Sequence, residues 1–263
     1  MAAGLPAGYA RRVIVVVGDP TLRPSGGGAP AQAGGNAAAV ARACAVAGAT
    51  VQLAGKVGDD PAGDEILLVL TREGIGHVAL LRDAGTATRI GDPTVSSIAG
   101  DEATGTGDDD WAVALADAGD GTEDGSAADG DGPDGSADRD AASARRVAAP
   151  VSSLAPEDLD LALRYLASFS VLIVAQPLSP ATLGVAVESA AYAGAHLILI
   201  DAPDAATSVP VDDITSLESP VSDPDGDFAG LVGRYAAALD AGTSASAAFR
   251  TALGVAGWEA AIP

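Results

Sequence analysis

Short, continuously apolar runs alternate with helical patterns along this chain, and that alternation restricts the fold more than any other feature. "VIVVV" (Val13–Val17), "VLIVA" and "LILID" are typical of strands buried on both faces of a sheet. Helical spacing lies between such runs, for example at Val40, Ala43, Cys44 and Ala47. The resulting β-α-β-α-β order predicts an α/β protein whose mainly parallel sheet is covered by helices.

The stretch "GDDPAGDE" supports two interpretations. Its carboxylates, Asp59, Asp60, Asp64 and Glu65, are oxygen ligands of the kind that hard cations prefer. Alternatively, Asp60 is the N-cap of a helix and Pro61 its first residue, a position that suits proline. The spacing fits no calcium loop, so we favour the cap and expect no metal site.

Negative charge is concentrated in one tract. The 263 residues carry a formal charge of −22, and residues 101–140 hold 14 acidic side chains against Arg139 alone. This tract has little to bury, so we expect a single domain over 1–263, interrupted at about 101–146 by a disordered acidic insertion. The acidity argues against nucleic acid or an anionic membrane as a partner, because phosphates would be repelled.

Cysteine content and apolar run length exclude further classes. Cys44 is the only cysteine, which rules out an intramolecular disulfide and a thiolate metal cluster. The longest apolar runs are far shorter than the roughly 18 residues that a membrane span needs. We therefore expect a cytoplasmic protein.

Residues 33–76 carry an ordered set of three features. Gly34-Gly35 precedes an alanine-rich helix ending in Ala-Gly-Ala, "GKVGDDPAGDE" follows the second strand, and "LTREGI" leads into the third. This set resembles the N-terminal signature of the ribokinase-like carbohydrate kinases (phosphofructokinase-B type). A weaker likeness covers most of the chain outside the acidic tract. The resemblance implies a ribokinase-like three-layer α/β/α fold with a β lid, here in a divergent and shortened member whose lid is reduced.

The family resemblance also implies a function and its residues. It implies ATP-dependent phosphoryl transfer to a sugar-type hydroxyl, with ATP and Mg²⁺ as cofactors and a small sugar-type molecule as ligand. Gly34, Gly35 and Asn36 would bind the substrate, and Asp227 would be the catalytic base. Gly226 and Asp225 would bind the phosphate at a helix N-terminus. Family members often dimerise through their lids, but the glycine- and proline-rich loop before Gly34 predicts too few lid strands to support an oligomer here.

The departures from the family pattern occur at positions that bind the substrate or take part in catalysis in the family. Arg23 stands where the family has a sugar-binding Asp, and Ala39 where it has a substrate-contacting Asn. The family's Asn-x-x-Glu and Thr-x-Gly-x-x-Gly motifs are missing after "LILID", and Asp227 reaches the catalytic position only by a two-residue slip. Asp223, Asp225 and Asp227 are alternatively residues that favour a helix N-terminus. The sequence therefore leaves open whether the chain is an active kinase or a catalytically inactive, kinase-derived sugar-binding or regulatory protein, and a decayed reading frame is a third interpretation.

Overall fold

The computed structural model describes residues 12–24, 30–91, 153–166, 168–202, 213–220 and 223–255. Eight strands lie in these ranges: β1 Ile14–Val17, β2 Thr21–Arg23, β3 Gln32–Gly34, β4 Val51–Gly58, β5 Gly76–Asp83, β6 Val171–Val174, β7 His196–Ile200 and β8 Ile214–Leu217. Six helices accompany them: α1 Gly35–Val46, α2 Pro61–Arg72, α3 Pro156–Tyr165, α4 Pro180–Ala193, α5 Asp227–Asp240 and α6 Ala245–Val255.

Six of the strands form one sheet in the order β5-β4-β1-β6-β7-β8. Every pairing in it is parallel; β1 aligns Ile14 with Val51 of β4 on one side and with Val171 of β6 on the other. The chain first builds outward from β1 to β4 and β5, and then returns to the other side of β1. The predicted parallel sheet is confirmed.

Successive residues of the central strands point into two separate cores. Ile14 and Val16 pack with α1, α2, α5 and α6, whereas Val15 and Val17 pack with α3 and α4. All four side chains are fully buried, which is why the run contains no polar residue. Helices therefore cover both faces, and the predicted three-layer α/β/α arrangement is confirmed.

Asp60 caps helix α2, as one interpretation of "GDDPAGDE" predicted. Its carboxylate accepts a hydrogen bond from Gly63 N at 2.8 Å, and Pro61 is the first helical residue. The same carboxylate also accepts bonds from the backbone N–H and the hydroxyl of Thr88. These bonds, first of all the one from Thr88 N, lower the pKa of Asp60. Asp59 and Asp64 pair instead with Arg82.

Two connections contain short strands, namely the predicted glycine- and proline-rich loop before Gly34 and the connection after β7. The glycine-rich stretch after β1 forms β2 and β3, an antiparallel ribbon that aligns Thr21 with Gly34, and this ribbon is the reduced β lid. The connection after β7 contains β8, which extends the sheet at its edge. Strands of three or four residues that are not continuously apolar have no readable period, so only their pairing partners identify them.

The chain divides into two units, residues 1–96 with 148–263, and residues 97–147. All described residues belong to the first unit. The acidic insertion expected at about 101–146 lies outside the described residues, so the single interrupted domain stays a prediction. None of the helices in the described ranges has the length and hydrophobicity needed to cross a bilayer.

Candidate active site

The carboxyl ends of β1 and β6 define a crevice. The connections from these two neighbouring strands lead in opposite directions, to β4 and to β7. Ligands of open parallel α/β sheets bind at this kind of switch point, beyond the carboxyl ends of the strands. The chain places Gly18 and Asp19 directly after β1, and Ala175 and Gln176 directly after β6.

Asp19 is the centre of a hydrogen-bond network at this edge. Its side chain is buried, and its carboxylate accepts bonds from Lys56 N and from Ser153 N, each at 2.9 Å. The Ser153 hydroxyl donates a third bond to it. Three donors satisfy much of the capacity of the carboxylate, so Asp19 holds the ends of β1 and β4 and the start of the α3 region together.

Gln176 has one unused hydrogen-bond donor. Its Oε1 accepts a bond from Asp19 N at 2.8 Å, which fixes the orientation of the side-chain amide. Gln176 Nε2 is therefore turned away from Asp19 N, and this buried nitrogen has no hydrogen-bond partner within the described residues. The buried Thr21 Oγ1 also has no partner there. An unpaired buried donor is costly, and a sugar oxygen is an acceptor that would satisfy it.

The lid ribbon brings the Gly-Gly pair to the same place. Gly34 pairs with Thr21, and a methyl group on Gly34 would lie 2.8 Å from Thr21 Oγ1. Gly35 begins α1 at φ +82°, a conformation that favours glycine, and lies against the backbone of Asp19. The two predicted substrate-binding glycines therefore line the crevice beside Asp19 and Thr21.

The remaining residues expected near the Gly-Gly pair lie differently. Asn36 is exposed in the first turn of α1. Ala39, at the family's substrate-contacting position, packs against the core. Arg23 is exposed at the end of β2, and its Cβ lies 3.6 Å from the position that a methyl group on Gly34 would take.

Lys56 ties together three elements at this edge. Its Nζ lies 2.6 Å from a carboxylate oxygen of Asp158 on α3 and 3.7 Å from one of Asp83 on β5. The bond to Asp158 is the main reason why the pKa of Lys56 is raised. Lys56, the only lysine of the chain, therefore links β4 to α3 and β5 through ion pairs beside the crevice.

Helix α5 runs antiparallel to the strands. At its C-terminal end, Asp240 O accepts a bond from Arg12 at 3.0 Å, and the Asp240 carboxylate accepts one from the Ser170 hydroxyl. Arg12 lies two residues before β1 and Ser170 one residue before β6, so this end of α5 lies at the amino edge of the sheet. A helix of 14 residues spans about 21 Å. Its N-terminus therefore points to the carboxyl edge, where the crevice lies.

The predicted catalytic segment forms the start of α5. Asp227 is the first helical residue and is exposed, Gly226 precedes it in the left-handed conformation at φ 75°, and Asp225 is exposed. The Asp223 carboxylate accepts bonds from Phe228 N at 3.2 Å and Ala229 N at 3.1 Å. Asp223 thus caps α5. Among the described residues, no hydrogen bond or ion pair joins residues 225–227 to residues 34–36.

Asp19, Thr21 and Gln176 were not predicted from the sequence. A usable signal existed for two of them, because Asp19 and Gln176 are polar residues placed directly after buried parallel strands. Thr21 had no such signal, since its position depends on the pairing of β2 with β3.

A second cavity of about 480 Å³ lies at the opposite, amino edge of the sheet, lined by residues that include Arg12, His196 and Asp213. His196 is buried there, and its Nε2 lies 2.8 Å from Thr215 Oγ1. Burial lowers the pKa of His196. This cavity is larger than the space beside Asp19 and Lys56, but none of the predicted site residues lines it.

Comparison with known proteins agrees with this architecture. Residues 26–91 match the model of the pfkB family carbohydrate kinases. The PfkB protein from Polaromonas sp. JS666 superposes with a TM-score of 0.56 at 13% identity, covering 95% of this chain and 96% of that one. Phosphofructokinase-2 from Escherichia coli in complex with fructose-6-phosphate gives 0.52 at 13% identity, covering 93% and 92%. The tetrameric inhibited form of that enzyme gives 0.54 at 12% identity, with the same coverage.

The resemblance to the ribokinase-like carbohydrate kinases is therefore confirmed. The family model supports it over the N-terminal region, and the solved structures show the shared fold. No match was found among curated protein sequences.

Proposed function

We propose that this chain binds a sugar-type ligand in the crevice and transfers a phosphoryl group from ATP to one of its hydroxyls. The observation that carries the proposal is the direction of α5. Because Asp240 is tied to Arg12 and Ser170 at the amino edge, Asp227 at the other end of the helix is directed to the edge that holds Gly34, Gly35 and Gln176.

Different residues bind the ligand and accept its proton in the proposed reaction. Gly34 and Gly35 let the ligand approach the backbone closely, as the family resemblance implies, and Gln176 Nε2 donates to a ligand oxygen. Asp227 accepts the proton of the attacking hydroxyl as that oxygen bonds to the terminal phosphorus of ATP, and the bond from this phosphorus to the bridging oxygen breaks, releasing ADP. General-base assistance of this kind contributes about 10²–10⁴ in rate.

The start of α5 fits an anion. The Asp223 carboxylate serves as a stand-in, because it already accepts bonds from the amides of Phe228 and Ala229. A phosphate that displaced Asp223 would find the same two donors, supported by the helix dipole. ATP, when bound, supplies the phosphoryl group. Among the described residues no group of three or more histidine, cysteine or carboxylate side chains is placed to hold a metal ion, so we assign no residue to Mg²⁺.

A second candidate is a catalytically inactive, kinase-derived sugar-binding or regulatory protein. The same Asp223 bonds favour it, because they occupy the amides that a transferred phosphate would need. The missing nucleotide motifs and the replacement of the sugar-binding Asp by Arg23 support it as well. In this candidate the crevice binds a sugar, and α5 is only a structural helix.

One pair of measurements distinguishes the two candidates. Calorimetry would test binding of a panel of pentoses, hexoses and nucleosides, and of Mg-ATP. A coupled assay would then measure sugar-dependent ADP release by the unmodified chain, by Asp227→Asn and by Asp225→Asn. Asp225 is the matched control, because it is an exposed aspartate two residues from Asp227. The phosphate-binding role that the resemblance implies for Asp225 is not part of this proposal, because a carboxylate repels a phosphate.

ADP release that is lost in Asp227→Asn and kept in Asp225→Asn would establish the kinase. Sugar binding without ADP release would establish the inactive binding protein and reject the kinase. A chain that binds no member of the panel would reject both candidates.

A further inference from the structure

The cavity at the amino edge of the sheet, which we call the amino-edge cavity, has room for a small molecule. Its volume of about 480 Å³ lies in the range of small-molecule sites. Four neighbouring strands each place a polar residue in its wall: Arg12 before β1, Ser170 before β6, His196 at the start of β7 and Asp213 before β8. The crevice lies at the opposite edge, so a ligand here would contact a separate set of residues.

Arg12 provides a cation at one end of the amino-edge cavity. Its guanidinium donates to Asp240 O at 3.0 Å, and its Nη1 lies 3.6 Å from the position that a methyl group on Gly242 would take. Among the described residues Arg12 makes no ion pair, and a carboxylate can accept bonds from its remaining donors. The start of α6 lies beside this arginine and lines the same cavity through Thr243, Ser244 and Ala245. A helix N-terminus also favours negative charge.

Asp213 provides a carboxylate at the other end. Its backbone carbonyl accepts a bond from Leu197 N at 2.9 Å, while its side chain is exposed and makes no ion pair within the described part of the chain. The C-terminal end of α4 also lines the cavity, through Ala193 and Gly194. The end of a helix carries a partial negative charge. This end of the cavity therefore suits an ammonium group.

His196 lies between the two ends and has an unused ring nitrogen. Only 9% of this residue is exposed. Its Nε2 lies 2.8 Å from Thr215 Oγ1 and 3.3 Å from the Tyr235 hydroxyl, whereas its Nδ1 has no hydrogen-bond partner among the described residues. A buried polar atom without a partner is costly. A polar group of a ligand in the cavity would satisfy it.

The order of the strands sets the distance between the two ends. Since β6 and β7 lie between β1 and β8, the backbones of Arg12 and Asp213 are about 14 Å apart, at about 4.8 Å per strand. Side chains and hydrogen bonds occupy part of this span. They leave about 6–10 Å between the two charges of a ligand, which is the length of two or three extended residues.

We propose that the amino-edge cavity binds a short zwitterionic peptide, whose carboxylate is held by Arg12 and the start of α6 and whose ammonium group is held by Asp213. The peptide groups between these ends bond to the polar wall, including His196 Nδ1. A zwitterion has no net charge, so it avoids the repulsion that an anion meets in a chain with a formal charge of −22. The inference goes beyond the proposed function, because it concerns other residues at the other edge of the sheet.

Calorimetry with four matched probes tests both ends of the site. Triglycine carries both charges, N-acetyltriglycine lacks the ammonium group, triglycinamide lacks the carboxylate, and glycine holds its two charges too close together. The variants are Arg12→Gln and Asp213→Asn. Their controls are Arg164→Gln and Asp160→Asn, an exposed ion pair on α3 that does not line the cavity. Circular dichroism would verify that all four variants fold.

Nuclear magnetic resonance locates the bound peptide. The chain has two histidines, His77 and His196, so His77→Gln assigns their imidazole signals. Triglycine should shift the signals of His196 and leave those of His77 unchanged, because His77 lies on β5, on the other side of β1.

We expect triglycine to bind about tenfold more tightly than either blocked analogue, in line with charge-assisted hydrogen bonds at both ends. Arg12→Gln should no longer distinguish triglycine from triglycinamide, and Asp213→Asn should no longer distinguish it from N-acetyltriglycine. The control variants should keep both preferences. Glycine should bind more weakly than triglycine, and high salt should weaken the binding of triglycine.

Several results would overturn the inference. Triglycine that does not bind, or binds without shifting the signals of His196, rejects the site. A blocked analogue that binds the unmodified chain as tightly as triglycine rejects a zwitterion as the ligand, and this result stands even if a variant fails to fold. Glycine binding as tightly as triglycine rejects a ligand that spans the cavity, and preferences that survive in Arg12→Gln and Asp213→Asn reject these residues as their source. Sugar binding in the crevice is measured separately, so either proposal can fail without the other.

Discussion

The side-chain amide of Gln176 accepts a hydrogen bond from the backbone N–H of Asp19 at 2.8 Å, across the gap between the ends of β6 and β1. This bond connects the two strands at the switch point of the sheet. It also leaves the Gln176 Nε2 donor buried and without a partner among the described residues. The strand order thus brings Asp19 and Gln176 together, and their hydrogen bond leaves one buried N–H donor that a ligand could use.

Replacing Gln176 with Met tests the role of that donor. Methionine has a similar length but no N–H group, so we expect the affinity for the sugar to fall about fivefold or more. Gln52→Met is the matched control, because Gln52 lies near the amino end of β4, away from the crevice. Equal affinities for the two variants, measured by calorimetry, would show that Nε2 does not contact the ligand.

Replacing Asp223 with Ala tests the cap of α5. Loss of the cap should lower the free energy of unfolding by about 1 kcal/mol. It should also free the amides of Phe228 and Ala229, and so strengthen the binding of Mg-ATP if α5 serves the kinase. Asp225→Ala, at a neighbouring exposed aspartate, should do neither. If Asp223→Ala is less stable but binds Mg-ATP with the same affinity as the unmodified chain, the cap has only a structural role.

The packing of α1 against α5 depends on Gly233. A methyl group at this position would lie 2.5 Å from the backbone carbon of Ala43. We expect Gly233→Ala to lower the free energy of unfolding by about 1–3 kcal/mol, because the two helices would have to separate. Gly184→Ala is the control, since nothing lies within 4 Å of a methyl group there, and it should stabilise α4 by about 0.5–1 kcal/mol. Urea denaturation measures both, and a neutral Gly233→Ala would contradict the close contact.

The stability of the protein should depend on pH through His196. Burial lowers the pKa of this histidine below its ordinary value of 6.5, so protonation favours the unfolded chain. The contribution is fully present above about pH 6.5 and is lost as the pH falls toward the folded-state pKa.

Comparing unfolding free energies at about pH 7.5 and about pH 5.5 tests this contribution. His196→Gln should reduce the difference between the two conditions. His77→Gln, at the other histidine of the chain, should leave it unchanged. The same pH dependence in all three proteins would assign the effect to other groups.

Continuously apolar strands and long helices could be predicted from sequence, whereas the short strands of mixed polarity, β2, β3 and β8, could not. The run Val13–Val17 was predicted to be a buried strand, and the structure buries four of its residues. The helical spacing of Ile66, Val69 and Leu70 likewise predicts the inward stripe of α2, and the structure buries all three.

In α4, the spacing of Leu183, Val187 and Ala190 predicts the inward stripe; Ala190 is buried, and Leu183 and Val187 pack partly buried against the core. Thr182 and Ala186, which that stripe does not include, are buried as well. Alanine and threonine fit closer to the sheet, and helical spacing alone does not determine which stripe faces it.

The residues of the candidate site were also predicted only in part. Gly34 and Gly35 were predicted and lie in the crevice, but Thr21 and Gln176 were not predicted. Asp60 was predicted to be a cap and is one, because capping depends on residues next to each other in the chain. Whether Asp227 is a base or only part of the start of α5 stays a prediction.

The sequence by itself determined the α/β class, the helix caps and the family likeness of residues 33–76, because these depend on local spacing and on neighbouring residues. Only the tertiary structure decided that Asp19 meets Gln176, that Lys56 meets Asp158, and that α5 directs Asp227 to the carboxyl edge. The physical reason is that each of these relationships joins residues far apart in the chain. Strand register and helix packing bring them together, and neither is encoded in a short stretch of residues.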